Sequence, residues 1–268
     1  VAFTNPTADR TITLPNATGH IPVFATAPSA AISDGSSGQF LKTDGSGALS
    51  FATAGGGASA SDDLYIANPS SATSPTASGT NAVAIGDNAV ASGFASISIG
   101  KDSDSTNTNS IALGRLSQAT GPNGSIAIGL YADSSGDGSV AIGSKDENNT
   151  AIATGETSVA LGTARASGED SFAAVITNNT SSYGATNSNS IAIGVGGVPS
   201  KASGYRSLAT MGGTATAHDG IALGRGTTAA GSGSFATGYG CKTEASYSIA
   251  MGFYANSKVK GKFAFASS

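Results

Sequence analysis

Along most of the chain, two aliphatic residues flank a small one and a glycine closes the group. Ala82–Gly86 (AVAIG), Ser96–Gly100 (SISIG), Ser110–Gly114 (SIALG), Ser125–Gly129 (SIAIG) and Ser139–Gly143 (SVAIG) are plain copies; Ser158–Gly162, Ser190–Gly194, Gly220–Gly224, Ser234–Gly238 and Ser248–Gly252 continue them. The aliphatics stand at i and i+2, the period of a β-strand, so both point to one side and the small residue between them to the other. The closing glycine permits a turn that a Cβ would hinder. A second short stretch follows, such as Ala89–Gly93 (AVASG) or Ala164–Gly168 (ARASG), again ending in glycine. The closing glycines Gly86, Gly100, Gly114, Gly129 and Gly143, and later Gly224, Gly238 and Gly252, recur every 14 or 15 residues. A short fixed period over most of a chain marks a repeat architecture. Each coil of about 14 residues reads strand, corner, strand, corner, and stacked coils make an all-β fold, a parallel β-solenoid or β-roll.

The expected interior is aliphatic: Ile85, Ile99, Ile111, Ile126, Ile128, Ile142, Ile191 and Ile193. The alanine row (Ala84, Ala112, Ala127, Ala141, Ala192, Ala222, Ala250) is then expected on the opposite face, packed closely against another copy of the chain. That arrangement predicts a homo-oligomer, for which three-fold symmetry, a homotrimer, is the natural closed form of a fibre. About a dozen coils at ~4.8 Å each give a rod of roughly 60 Å. The tail, Lys262–Ala266, lies in register, with Ala266 14 residues after Gly252.

The period breaks at 144–157, 176–189, 195–206 and 213–219. Insertions in a repeat map to loops on the rod, and loops on a rigid scaffold commonly bind. Asn178, Asn179, Tyr183 and Tyr205 lie in these segments. Tyr131 and Tyr254 share a phase, two residues after Gly129 and Gly252. Aromatic rings stack on sugars and anchor interfaces, so these six residues are the candidate receptor contacts; for Tyr131 and Tyr254 the competing reading is packing between coils at a corner.

Residues 1–60 lack the period. Thr11–Leu14 alternates, and Phe40–Thr43 and Ala48–Phe51 read as a hairpin about Asp44–Gly47. Residues 53–61 (TAGGGASAS) read as a flexible joint. Two domains are expected: 1–60, an N-terminal β-rich stalk or connector, and 61–268, the β-roll.

Composition narrows the function. Glycine is 38 of 268 residues, tryptophan is absent, charged residues are 11% and net charge is −4. Low charge with periodic aliphatics excludes a charge-extended disordered chain. Scattered Lys and Arg exclude a nucleic-acid groove or polybasic membrane patch. Neither a transmembrane apolar run nor a signal-peptide pattern is present. The chain starts at Val1 and is expected to be a piece of a longer polypeptide. The single cysteine, Cys241, excludes an intrachain disulfide and reads as a small buried hydrophobe.

Enzymatic chemistry finds little purchase. His20 and His218 are far apart, and His218–Asp219 reads as a surface pair in a loop. No metal-ligand, nucleophile-elbow or phosphate-loop pattern occurs. Asp102–Thr106 (DSDST) has a superficial likeness to a calcium loop but lacks its Gly and Glu, so a solvated loop is expected. A polysaccharide-cleaving solenoid needs converging carboxylates. The position four residues after the closing glycine holds Asp104, Asp133 and Glu147 beside Val90, Gln118, Ala166 and Lys242; Asp133 and Glu147 would be stacked neighbours, with no basic or aromatic partners in phase. At that position only Thr228 is threonine, and no other phase shows a threonine row, which argues against ice binding. No catalytic, cofactor-binding or metal-binding residue is expected, and no cofactor.

The repeated SIAIG motif over residues 82–252 resembles the head domain of YadA-like trimeric autotransporter adhesins. The resemblance implies a left-handed parallel β-roll assembled as a trimer. Thr7–Gly19 (TADRTITLPNATG) and Ser36–Phe51 (SSGQFLKTDGSGALSF) resemble segments common in bacteriophage tail-fibre proteins. Gly261–Ser267 (GKFAFAS) resembles the end of YadA-type repeats in such fibres, ahead of a C-terminal chaperone or tip domain. A structural phage fibre follows, a virion tail or head fibre taking part in host-surface attachment. Its expected partners are other fibre or virion proteins at the N-terminal end and a host-surface glycan or protein, with no nucleic acid and no membrane insertion. The alternatives are an adhesin head on a bacterial outer surface or a fibre of a contractile injection particle.

Overall fold

The computed structural model describes residues 39–43, 49–53, 73–175, 182–194 and 198–267. The chain divides into two units, Val1–Gly57 and Ala58–Ser268. In the first, Gln39–Thr43 and Leu49–Thr53 pair antiparallel, Leu41 opposite Phe51, which is the hairpin the alternation predicts.

The second unit is a parallel β-solenoid of two 13-stranded sheets. One sheet has strands of three to five residues, such as Ile97–Ile99, Ile126–Ile128 and Phe235–Tyr239. The other has strands of two, such as Val90–Ala91 and Thr228–Ala229. The chain alternates between them, and each strand pairs with its counterpart one coil on: Ile126 with Val140, Ala127 with Ala141, Ile128 with Ile142. Twelve steps of ~4.8 Å give a rod of roughly 58 Å. Phe263–Ala266 closes the long-strand sheet in register, with Ala266 opposite Gly252.

The interior reverses the expected arrangement. Ala112, Ala127, Ala141, Ala192, Ala222 and Ala250 are fully buried, whereas Ile99, Ile142, Ile191 and Ile193 are exposed by more than a third. The alanine row is therefore the core of each coil and meets no other copy. The short-strand sheet supplies the facing row, including Ala91, Ala119, Ala153 and Ala229. The largest fully buried side chains are Thr227, Thr243 and Cys241. Corners of only a few residues hold the two sheets so close that nothing larger than threonine or cysteine fits between them, and the isoleucines are driven outward.

Serines complete this thin core. Ser96, Ser139 and Ser158 each donate to the carbonyl three residues back, at Gly93, Gly136 and Gly155, over 2.7–2.9 Å. Ser105–Ser110 and Ser134–Ser139 share hydroxyl contacts of 2.7 Å across the interior. Buried hydroxyls are tolerated because they are satisfied in this way.

Both corners are laddered too. On the exit edge, where the chain leaves the long-strand sheet, Asn88 donates its N–H to Thr73, Asp102 to Asp87, Leu116 to Lys101 and Tyr254 to Tyr239. On the entry edge, where it returns, Asn109 donates to Phe94, Thr157 to Asp137 and Asp219 to Tyr205. The donor at each corner is left-handed, with φ near 55° at Asn88, Asn109 and Asp219. The polar backbone is thus paired along the stack on all four sides.

The breaks in the period fall unevenly. Residues 144–150 form a small antiparallel hairpin on the exit edge, Ser144–Asp146 with Asn149–Thr150. The other long connections, between Phe172–Ala174 and Gly184–Ala185 and between Ile191–Ile193 and Lys201–Ala202, leave from that same edge. Segment 213–219 is no insertion, since Thr214–Ala215 is an ordinary short strand.

Candidate interaction surfaces

The outward side chains of the long-strand sheet form two columns. One runs Val83, Ile97, Ile111, Ile126, Val140, Val159, Phe172, Ile191, Leu208, Ile221, Phe235, Ile249, Phe263. Its neighbour runs Ile85, Ile99, Leu113, Ile128, Ile142, Leu161, Ala174, Ile193, Thr210, Leu223, Thr237, Met251, Phe265. Only Thr210 and Thr237 interrupt an apolar face that runs the length of the rod. Stacked neighbours shield one another, so most of these side chains are half-buried even while facing out. At the C-terminal end the strands lengthen and add Tyr239 and Phe253 to the same side, their rings stacked at 5.5 Å.

The outward face of the short-strand sheet is polar. Its first column includes Val90, Asp104, Gln118, Asp133, Ile152, Arg165, Lys201, Thr214, Thr228 and Lys242. Asp133 has Gln118 and Ile152 as neighbours, and Glu147 lies between the strands of the inserted hairpin, so the expected Asp133–Glu147 pair does not form. The hairpin also shifts Ala151–Gly155, which resembles the long-strand motif, into the short-strand sheet. A shorter coil then places Arg165, and not Ala166, beside Ile152. Asp104–Ser105 is a strand with Ser103 and Ser105 buried, and not the solvated loop expected of Asp102–Thr106.

Two residues further along ten of the thirteen short strands stands a hydroxyl, at Ser78, Ser92, Thr106, Thr120, Ser135, Thr154, Ser167, Thr186, Ser203 and Thr216; the last three coils carry Ala230, Glu244 and Lys258 there. Backbone bonds such as Ser92 N–H to Ser105 and Thr154 N–H to Ala166 fix their phase. Because serine and threonine alternate irregularly, a search for threonine alone passes over this row.

Burial raises the carboxyl pKa of Asp104 and of Asp133 above the ordinary range; at Asp133 a bond to Ser135 and the charge of Arg165 pull the other way. One Asp104 oxygen, Oδ1, is buried without a hydrogen-bond partner. On the exit edge, Asp87 accepts from the Lys101 ammonium, which lowers the carboxyl pKa and raises that of the lysine.

The candidate receptor residues scatter over the rod. Tyr131 and Tyr254 do occupy the same left-handed corner position, with φ of 57° and 52°, on coils far apart. Arg115 lies 6.0 Å from the Tyr131 ring centroid. Tyr254 packs edge-on against Tyr239 and Phe253 at 5.5 and 4.7 Å. Tyr183 is half-buried against the alanine core. Tyr205 stands exposed on the entry edge. Asn178 and Asn179 lie outside the described residues. Cys241 is buried, its thiol 3.1 Å from the Gly252 carbonyl oxygen.

Beside Tyr205 the fold assembles residues that sequence spacing does not connect. Tyr205 and His218 hold one corner position on successive coils, and Arg206 and Asp219 hold the next. Asp219 accepts from Arg206 Nε at 2.8 Å, Arg206 Nη2 at 2.9 Å and His218 Nδ1 at 2.5 Å. The bond from Arg206 lowers the Asp219 carboxyl pKa and raises that of the guanidinium. Among the described residues no group of three or more His, Cys, Asp or Glu could hold a metal ion. Among the described residues there is no helix long and apolar enough to cross a membrane.

Residues 77–103, 105–132, 123–145, 149–164, 153–174 and 215–240 match the family described as the YadA head domain repeat (2 copies). No curated protein is matched by the chain. Parallel coils of about 14 residues together with these matched repeats make the solenoid a YadA-like β-roll.

Proposed function

We propose that the chain is a homotrimeric, non-enzymatic fibre segment, displayed outside the cell, whose work is mechanical and adhesive. The apolar face of the long-strand sheet carries this reading. Soluble monomers rarely leave so large a contiguous apolar surface open. Three copies meeting along it would bury both columns around a common axis and keep the polar short-strand face in water. The likeness to the YadA head repeat supports a fibrous adhesin-like role.

A phage fibre is the favoured setting, on the wording of Thr7–Gly19, Ser36–Phe51 and Gly261–Ser267; an adhesin head on a bacterial surface accords equally with the matched repeats. The test is the solution mass by light scattering after size exclusion. Three chains are expected, and a stable monomer would overturn the reading. Labelled trimer binding to bacterial cells would favour the phage fibre, and binding only to eukaryotic cells or matrix the adhesin.

A further inference from the structure

We infer that the entry edge carries a binding site for a neutral hexopyranose, built from Tyr205, Arg206, His218 and Asp219. The repeat itself creates it. Equivalent corner positions on adjacent coils lie ~4.8 Å apart, so two aromatic rings and an ion pair are stacked as a block of two by two. The Tyr205 and His218 ring centroids are 5.1 Å apart with planes tilted by 34°. The Arg206 guanidinium carbon lies 5.2 Å from the Tyr205 ring centroid. All four residues are well exposed: Tyr205 by 40%, and the Arg206, His218 and Asp219 side chains by 53, 49 and 41%.

The arrangement is preorganised, which reduces the entropy lost on binding. Asp219 holds Arg206 through two guanidinium nitrogens and holds His218 through Nδ1. With Nδ1 donating, a neutral imidazole presents Nε2 as an acceptor. Among the described residues the Nη1 hydrogens of Arg206 and the Tyr205 hydroxyl have no hydrogen-bond partner. A fixed donor and a fixed acceptor beside an aromatic ring suit vicinal sugar hydroxyls over a C–H face. Arg206 and Asp219 cancel in charge, so the block selects for neutral and not anionic sugars.

The neighbouring coils extend the surface. On the next coil Ser232 follows Tyr205 and His218, and Gly233 follows Arg206 and Asp219, so the edge there carries only one small side chain. Beyond them the Tyr247 ring, 64% exposed, leans back over Gly233, where an added Cβ would stand 2.9 Å from it. Lys260 lies 5.7 Å from that ring centroid. Tyr205 and Tyr247 thus bracket a shallow floor about three coils, ~14 Å, long, fit for a short oligosaccharide along the rod.

The site deepens the attachment reading and rests on it for its biological use alone. Saturation-transfer NMR on the full chain would be run with methyl β-galactoside, methyl α-glucoside, N-acetylglucosamine and, as the anionic arm, N-acetylneuraminic acid. Tyrosine fluorescence gives a second readout, since the chain has no tryptophan. A neutral pyranoside should bind, with at least a tenfold loss of affinity in Tyr205→Ala and in His218→Ala. Phe94→Ala, at the same edge many coils away, should bind as the parent does. Unchanged melting curves would show that the variants keep the solenoid. Absence of binding to every neutral sugar, preference for the acidic sugar, or full affinity in both variants would overturn the site. Light scattering on the same samples keeps the two proposals apart: a trimer that binds no sugar refutes only the site, and a monomer that binds one refutes only the trimer.

Discussion

A Cβ on Gly136 would stand 2.1 Å from the carbonyl oxygen of Gly155 in the next coil. The same approach recurs at Gly79, Gly93, Gly121, Gly168 and Gly231, each facing backbone one coil on at 1.9–2.0 Å. Backbone cannot swing aside as a side chain can, so Gly136→Ala should force the coils apart at one corner, at a cost of about 1–3 kcal/mol. Gly124 makes the contrast. Its φ is +58° and nothing lies within 4 Å of its added Cβ, while Asn109 holds the equivalent corner one coil earlier at φ 56°. Gly124→Asn should therefore stay within ~0.5 kcal/mol of the parent. Thermal melts of the two variants test the pair, and equal losses would refute close backbone approach as the reason for the first glycine.

Ala127 and Ile128 are adjacent, yet they should fail in different ways. Ala127 is fully buried between Ala112 and Ala141. Ala127→Leu overfills a space made for a methyl group and should lower the melting temperature of the fold itself, by the equivalent of about 1–3 kcal/mol or more. Ile128→Ser combined with Ile142→Ser removes two stacked residues from the outer face. That double variant should keep its β-rich circular dichroism and lose association in light scattering. The reverse outcome, an intact Ala127→Leu coil that no longer associates, would restore the alanine row as the interface.

Cys241 offers a chemical check on the same thin interior. It is fully buried on the short-strand side, next to fully buried Thr243. A maleimide reagent should label it only after denaturation. Labelling of the native protein at the rate of a free thiol would mean that the coils near the C-terminal end open readily.

Much of this architecture is legible in the chain because the closing glycines count out the coils. Strand positions, the registered tail and the antiparallel pairing of Gln39–Thr43 with Leu49–Thr53 all follow from alternation and turn residues. Which side of a strand faces inward does not follow. Alternation groups Ile126 with Ile128 and sets Ala127 apart, but the width of the interior is fixed by how tightly the corners draw the sheets together. That is a tertiary property, and it overrides the habit of placing large aliphatics inside. Register fails where a coil changes length: the hairpin after Gly143 displaces Glu147 from the stack and brings Ile152 beside Asp133. The Arg206–Asp219 pair escapes for a related reason, since its coil is one residue shorter than most and the two side chains meet only when corners, not glycines, are aligned.

The half-buried carboxyls give a pH dependence whose sign is fixed. Asp104 sits between Val90 and Gln118, with one oxygen buried and unpartnered, and Asp133 sits between Gln118 and Ile152. Burial raises both folded-state pKa values above the ordinary 3.8, so the folded chain holds these protons more tightly than the unfolded chain does. Where the native state binds more protons, stability falls as pH rises. The loss therefore begins near the ordinary carboxylate value and is complete above the raised folded values. Asp104→Asn with Asp133→Asn should melt at a higher temperature than the parent at neutral pH, and the advantage should shrink towards about pH 4, where the parent carboxyls are themselves protonated. The lowered pKa of Asp87 and of Asp219 gives the opposite trend in both proteins, so only the difference between the two melting curves is diagnostic. A difference that is constant with pH, or a double variant less stable than the parent at neutral pH, would show that the two aspartates carry no penalty for being charged on the polar face.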